Sequence, residues 1–123
     1  MADLAVVDLL RDTGKLEDQI AAMVAADTLT GTDYFENTED VIFLIYNGTS
    51  GPGAPDVTTF EGELVGKVGV DHSMVVTTAP GELSIVPVLS QTDFNVRTGA
   101  NKGKVEFTHS ATPLVKYMAV RIR

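Results

Sequence analysis

The hydrophobic positions of this chain change period near residue 27. Before that point Leu16, Ile20, Met23 and Val24 fall at i, i+4, i+7 and i+8, one face of a helix, and Glu17 and Asp18 stand near its start, where negative charge favours a helix N-terminus. The same stretch also accommodates an extended arm in which Leu4, Val6 and Val7 form a short strand. Either form makes residues 1–26 an element able to dock elsewhere.

From Thr28 onward the chain is rich in Val, Thr, Ile and Phe and is interrupted by turn signals about every ten residues, the pattern of an antiparallel sandwich or barrel. Asn47-Gly48 opens a loop that Gly51, Pro52, Gly53 and Pro55 keep from pairing. Pro80-Gly81 marks a second turn, and residues 98–103 mark a third. Between them strands are predicted near 41–46, 56–61, 64–70, 73–78, 82–89, 104–109 and 114–122. Seven strands are enough for two packed sheets. The predicted fold is therefore mainly β, an antiparallel β-sandwich of jelly-roll type over residues 27–123, preceded by an arm or short helix over 1–26.

Two of these strands are apolar on both faces. Val41-Ile42-Phe43-Leu44-Ile45-Tyr46 reads as a central strand, or one whose outer face is covered by a partner. In the last strand Leu114, Met118, Val120 and Ile122 share one face while Val115, Tyr117 and Ala119 line the other, and Phe107 should pack nearby. The cover can come from the sandwich itself, from the N-terminal segment or from a symmetric oligomer.

Composition narrows the function classes. A chain of 123 residues with 44% apolar and 21% charged side chains is the size and make-up of one globular domain. It contains no apolar run of the roughly 18–20 residues that span a bilayer, and MADLAVVDLLRD lacks the basic start of a signal peptide, so neither membrane anchoring nor export is expected. Cysteine is absent, which excludes disulfides and thiol chemistry. A formal charge of −8 repels phosphate backbones, so no nucleic-acid partner is expected, and it suits a protein displayed in many copies.

Candidate chemistry is sparse. Asp71-His72-Ser73 resembles a compressed triad, but neighbouring strand residues point to opposite faces and cannot converge on one substrate; His109-Ser110 fails for the same reason. Both histidines read as strand-end or surface residues. Asp27, Asp33, Asp56 and Asp71 lie near predicted loops without the dense spacing of a calcium loop, and they read as solvated carboxylates. Gly48, Gly51 and Gly53 lack the lysine and following helix of a phosphate-binding loop. Asn47-Gly48-Thr49 matches a glycosylation acceptor with no secretory signal to make it meaningful. No catalytic residue, metal ligand or cofactor is assigned, and the chain is not expected to be an enzyme. The aromatic residues read as core, except Tyr34-Phe35, whose neighbours Asp33, Glu36 and Asn37 make a polar segment in which exposure would mark a partner contact.

Phe35-Glu36-Asn37-Thr38, followed by Val41-Ile42-Phe43-Leu44-Ile45-Tyr46-Asn47-Gly48-Thr49, resembles the "F-x-N-x-G-x-x-x-L-x-V-x-N" opening of small virion proteins of tailed phages. Later parts of that pattern correspond to Asp56-Val57-Thr58-Thr59-Phe60, Val86-Pro87-Val88, the stretch Gly103-Lys104-Val105-Glu106-Phe107-Thr108-His109-Ser110 and the closing residues 116–122. Glu39-Asp40 stands where the pattern has Gly-Arg, so no contact at that turn is carried over. The chain is similar in this respect to head decoration, or cement, proteins. The resemblance implies a virion protein on the capsid exterior, made in the host cytoplasm. It further implies binding to the major capsid protein, commonly as a trimer, and stabilisation of the lattice. On that reading the partner contacts are expected from Leu4, Val6, Val7 and Leu9 of the arm together with Tyr34 and Phe35. The alternatives are a carbohydrate-binding or adhesion module and a low-copy head-completion or tail part.

Overall fold

A computed structural model describes residues 3–8, 23–26, 29–49, 55–63, 71–89, 94–96, 99–109 and 114–121. Nine strands occur among them: β1 (Val6–Asp8), β2 (Val24–Ala25), β3 (Thr32–Glu36), β4 (Val41–Asn47), β5 (Asp56–Glu63), β6 (Asp71–Thr78), β7 (Leu83–Val86), β8 (Lys104–Thr108) and β9 (Val115–Arg121). One sheet runs β1-β9-β4-β7, with β2 also on β9; the other runs β3-β8-β5-β6.

The pairing is nested. β5 pairs with β6, β4 with β7, β3 with β8 and β2 with β9, all antiparallel, and the cross-links β9–β4 and β8–β5 complete two four-stranded sheets. A long hairpin folded over on itself in this way is the jelly roll, so the predicted sandwich is observed. β1 is an addition to it. It runs parallel to β9 at Val6↔Ala119 through Asp8↔Arg121, beside the stretch where β2 pairs at Val24↔Tyr117 and Ala25↔Lys116.

The predicted strands at 41–46, 56–61, 73–78, 82–89, 104–109 and 114–122 fall on β4 to β9, while 64–70 lies outside the described residues. The helical pattern of the N-terminal stretch does not extend to its last member. Val24 begins β2 and Met23 is buried, whereas Leu16 and Ile20 lie outside the described residues. For so short a segment the open edge of β9 outweighs a weak helical period. β3 was not anticipated as a strand.

Inward-facing residues from both sheets form the core, with Phe43 of β4 at its centre. Its ring lies 5.2 Å from Phe35, 5.1 Å from Phe60 and 5.0 Å from Phe107, which come from three strands of the facing sheet, and 5.6 Å from Tyr117 beside it. The Phe60 and Phe107 contacts are edge-to-face, the arrangement that ring quadrupoles favour. Both two-faced strands are satisfied: Val41, Phe43 and Ile45 of β4 with Val115, Tyr117 and Ala119 of β9 enter the main core, while Leu44, Met118 and Val120 join Met23 in a second buried cluster.

Residues 3–8 tie the two sheets together. Asp3 bridges to Tyr34 on β3, the Leu4 amide donates to the Tyr34 carbonyl at 2.7 Å, and β1 then continues along β9. Leu4, 3% exposed, sits between these anchors in the main core. Leu4→Ala should therefore cost about 2–5 kcal/mol of unfolding free energy, the range for emptying a packed leucine site. Urea denaturation of the two chains checks this, and a loss below about 1 kcal/mol would mean that the segment is not part of the core.

Candidate functional site

Several of the polar residues buried in the fold, Asp33, Asp56 and Thr58 among them, gather at one end of the sandwich. Asp33, one residue into β3, has a fully buried side chain, as does His109, which follows β8. His109 Nε2 lies 2.8 Å from Asp33 Oδ2; a carboxylate only accepts, so the imidazole donates. Asp33 also accepts from the Thr30 hydroxyl at 2.6 Å, the Thr30 amide at 3.1 Å and the Gly31 amide at 3.2 Å. Gly31 turns the chain around this carboxylate at φ 101°, a conformation in which a side chain is strained, and its carbonyl accepts from the His109 amide at 2.8 Å.

A second buried carboxylate lies on the other side of the histidine ring. The Tyr117 ring meets His109 edge-on at 4.9 Å, and its hydroxyl donates to Asp56, with O···O distances of 3.1 and 3.2 Å. Thr58 Oγ1 donates to the same carboxylate at 2.8 Å. Desolvation pushes the Tyr117 phenol well above its ordinary value; the Thr58 hydrogen bond offsets part of this, and the negative charge of Asp56 and Asp33 adds to the rise.

These groups are turned towards one another and closed to solvent. No described buried side-chain nitrogen or oxygen lacks a hydrogen-bond partner, and no group of three or more His, Asp or Glu among the described residues is placed to hold a metal ion. The arrangement secures β3, β5, β8 and β9 at one end of the sandwich. The reading of Asp33 and Asp56 as solvated carboxylates is therefore corrected, Asp33 being 0% and Asp56 2% exposed, and His109 stands at a strand end as expected but with its side chain buried rather than at the surface. Asp27 and the side chains of Asp71 and His72 lie outside the described residues.

Two asparagines perform the same structural work at other corners. Asn37 is buried; its Nδ2 donates to the Leu89 carbonyl at 2.9 Å and to Asn95 Oδ1 at 2.8 Å, and its Oδ1 accepts from the Glu39 amide at 3.2 Å. Asn47 is equally buried, with Nδ2 on the Thr78 carbonyl at 3.1 Å and Oδ1 on the Thr49 amide at 3.1 Å. An amide so engaged is not presented for glycosylation.

The predicted partner contacts separate on the structure. Leu4 and Phe35 are core residues, Tyr34 is 8% exposed on the covered edge of β3, and Val6 is half-buried against the core. The expected exposure of Tyr34-Phe35 is thus not observed. Val7 pairs through its backbone in β1, its side chain lying outside the described set, and Leu9 lies outside it altogether. None of the eight aromatic rings is exposed, so the described surface carries no aromatic platform for sugar stacking. A cleft of about 260 Å³ is lined by Asp3, Leu4, Ala5, Val6, Glu36 and Arg121, without a nucleophile and base in contact.

The geometry defines a jelly-roll module whose polar interior is structural. No family model, no curated protein and no solved structure matches this chain.

Two outcomes follow from the buried network. Asp33→Ala leaves His109 and the Thr30-Gly31 turn without their acceptor, and it should cost about 1–3 kcal/mol or more, as leaving buried donors unsatisfied does; chemical denaturation measures it, and a cost under about 0.5 kcal/mol would contradict the burial. Tyr117 supplies an alkaline limit. Because its folded pKa lies above its unfolded value near 10, its contribution is complete below that pH and declines as pH rises above it. Phenolate absorbance followed alongside circular dichroism should show Tyr117 ionising only as structure is lost. Ionisation of all three tyrosines in a chain that keeps its circular dichroism would refute this.

Proposed function

We propose that this protein is a structural part of a tailed-phage virion, a head decoration or cement protein that binds the major capsid protein on the outside of the capsid and braces the lattice. The observation that supports the reading is the placing of the pattern's two asparagines, Asn37 and Asn47, at turns beside β3 and β4. At the position where the phage pattern has glycine, Glu39 adopts φ 61°, a left-handed conformation that side chains adopt at a cost. The two asparagines of the pattern, Asn37 and Asn47, are the buried residues that organise adjoining turns. Two residues of the pattern, Asn37 and Asn47, thus coincide with places where this backbone needs that chemistry, and Glu39 departs from the pattern at a position whose backbone favours its glycine.

The physical character of the module agrees with the role. A bracing protein transmits force through a rigid body, and a sandwich whose two sheets are joined by packed rings and sealed polar contacts is stiff. It needs no active site. The attachment surface is not the Leu4 and Phe35 side chains, which are buried in their own chain. Stable attachment requires about 1,000 Å² or more of interface, which other exposed surface would supply. The carbohydrate-binding alternative loses ground because no aromatic ring is exposed.

The test is the ratio of this protein to the major capsid protein in purified particles, by quantitative mass spectrometry. Equimolar amounts, or a simple lattice fraction, are expected; a handful of copies would reassign it to the neck or tail, and absence from particles would end the virion reading. The turn has its own test. Glu39→Gly should raise unfolding free energy by about 0.5–1 kcal/mol, relief of the left-handed strain exceeding the entropy that glycine loses on folding. A drop in the urea midpoint would mean that the Glu39 side chain matters more than its backbone.

A further inference from the structure

Asn47, the last residue of β4, holds one corner of the sandwich together. It is 1% exposed, and its side chain spans two neighbours: Nδ2 donates to the Thr78 carbonyl at the end of β6, and Oδ1 accepts from the Thr49 amide. Its backbone amide donates to the Glu82 carbonyl at 3.0 Å, and its carbonyl accepts from the Gly81 amide at 2.7 Å. A different constraint fixes the next residue. The Gly48 amide donates to the Leu114 carbonyl at 2.9 Å, and a Cβ on Gly48 would stand 2.9 Å from that same oxygen and 3.2 Å from the Tyr46 ring. The oxygen belongs to backbone and cannot swing aside, so glycine is the residue that fits. The corner thus requires asparagine and glycine in succession, each for its own reason.

That succession has a reactivity of its own. In an Asn-Gly pair the glycine nitrogen, unshielded by a side chain, attacks the asparagine Cγ; the bond from Cγ to the side-chain nitrogen breaks, ammonia leaves, and a five-membered succinimide remains. Water then opens the ring at either carbonyl and gives aspartate or isoaspartate. The only co-reactant is water. Of the four asparagines in the chain Asn47 alone precedes glycine; Asn37, Asn95 and Asn101 precede Thr38, Val96 and Lys102, whose side chains hinder the attack.

We propose that Asn47-Gly48 is a latent deamidation site, withheld by the native corner and released when that corner opens. The attacking nitrogen is held by its hydrogen bond to Leu114, the Asn47 carboxamide is clamped at both its nitrogen and its oxygen, and ring closure bends a backbone that β4 keeps extended. The product does not fit the place of the asparagine. A carboxylate at this position has no N–H for the Thr78 carbonyl and brings a charge into a buried site. Isoaspartate also lengthens the main chain by one methylene, where β4 is set against β9 at Asn47↔Val115. The change is one-way, so a chain that has opened and reacted closes less firmly and opens more often afterwards. This inference does not rest on the virion role.

Peptide mass spectrometry on the full chain, incubated at mildly alkaline pH with and without urea above the unfolding midpoint, tests it. Asn47 should convert at least about tenfold faster in urea than in the native chain, mainly to isoaspartate, because a protected group reacts only through its open fraction. Asn101, which precedes lysine, should change little in either. Asn47→Asp, the product without the extra methylene, should have a lower urea midpoint than the wild type. Equal rates in the folded and unfolded chain would overturn the proposal, as would conversion of Asn101 ahead of Asn47 in urea. So would an Asn47→Asp chain as stable as the wild type, since the corner would then accept the change without consequence. An Asn47→Asp chain too weak to fold agrees with the proposal, and the two rates in the wild type then decide it.

Discussion

Phe43 holds the two sheets together, and the rest of the molecule is arranged around that contact. Its ring touches Phe35, Phe60 and Phe107, which rise from β3, β5 and β8 of the opposing sheet, so one side chain meets three strands of the facing layer. Such packing requires each sheet to present its rings in one register, because a slip of one residue turns every side chain to the wrong face. The nested jelly-roll pairing supplies that register: β4 is set against β9 over seven residue pairs, and β3 against β8 over five.

The buried carboxylates are best understood against this apolar centre. A charge beside packed rings is tolerated only when its hydrogen-bond capacity is met by fixed donors, and Asp33 and Asp56 both meet that condition. His109 joins the two environments. It donates to Asp33, stacks on Phe107 at 5.3 Å and lies edge-on to Tyr117, so the polar end of the sandwich is packed against the aromatic core rather than separated from it. Features that look catalytic in composition, an aspartate, a histidine and a tyrosine in succession, are here the means by which four strand ends are locked.

How far the sequence could be read depended on whether the informative neighbours were local. β4 and β9 were legible because residues apolar on both faces have few places to go except the middle of a sheet. β3 was not, because Asp33 and Glu36 around two aromatics look like a loop, and the reason for a buried Asp33 lies 76 residues away at His109. A carboxylate preceded by Thr30 and Gly31 was the one local hint, since a short turn with free amides can wrap such a group. β2 is only two residues long and exists by virtue of its partner, so a helical spacing that ended in Met23 and Val24 carried no knowledge of the edge it would meet. Of the partner contacts expected from the arm and from Tyr34-Phe35, Leu4 and Phe35 are apolar residues that need cover, and their own chain supplies it.

With the interior committed to structure, the surface is left to carry function, and its charge is unevenly placed. On the outer face of the β3-β8-β5-β6 sheet one row reads Tyr34, Glu106, Glu61, Ser73, setting two glutamates side by side on neighbouring strands, whereas the next reads Thr32, Thr108, Thr59, Val75 without a charge. Like charges directly opposite on paired strands oppose the sheet slightly, so the fold bears a small cost there. The consequence is a division of one face into a part that repels other acidic surfaces and a part that does not. In a protein with 17 acidic side chains against 9 basic ones, the uncharged part is where another acidic surface can approach without meeting carboxylates, and it adjoins β6, which among the described residues pairs on one side only.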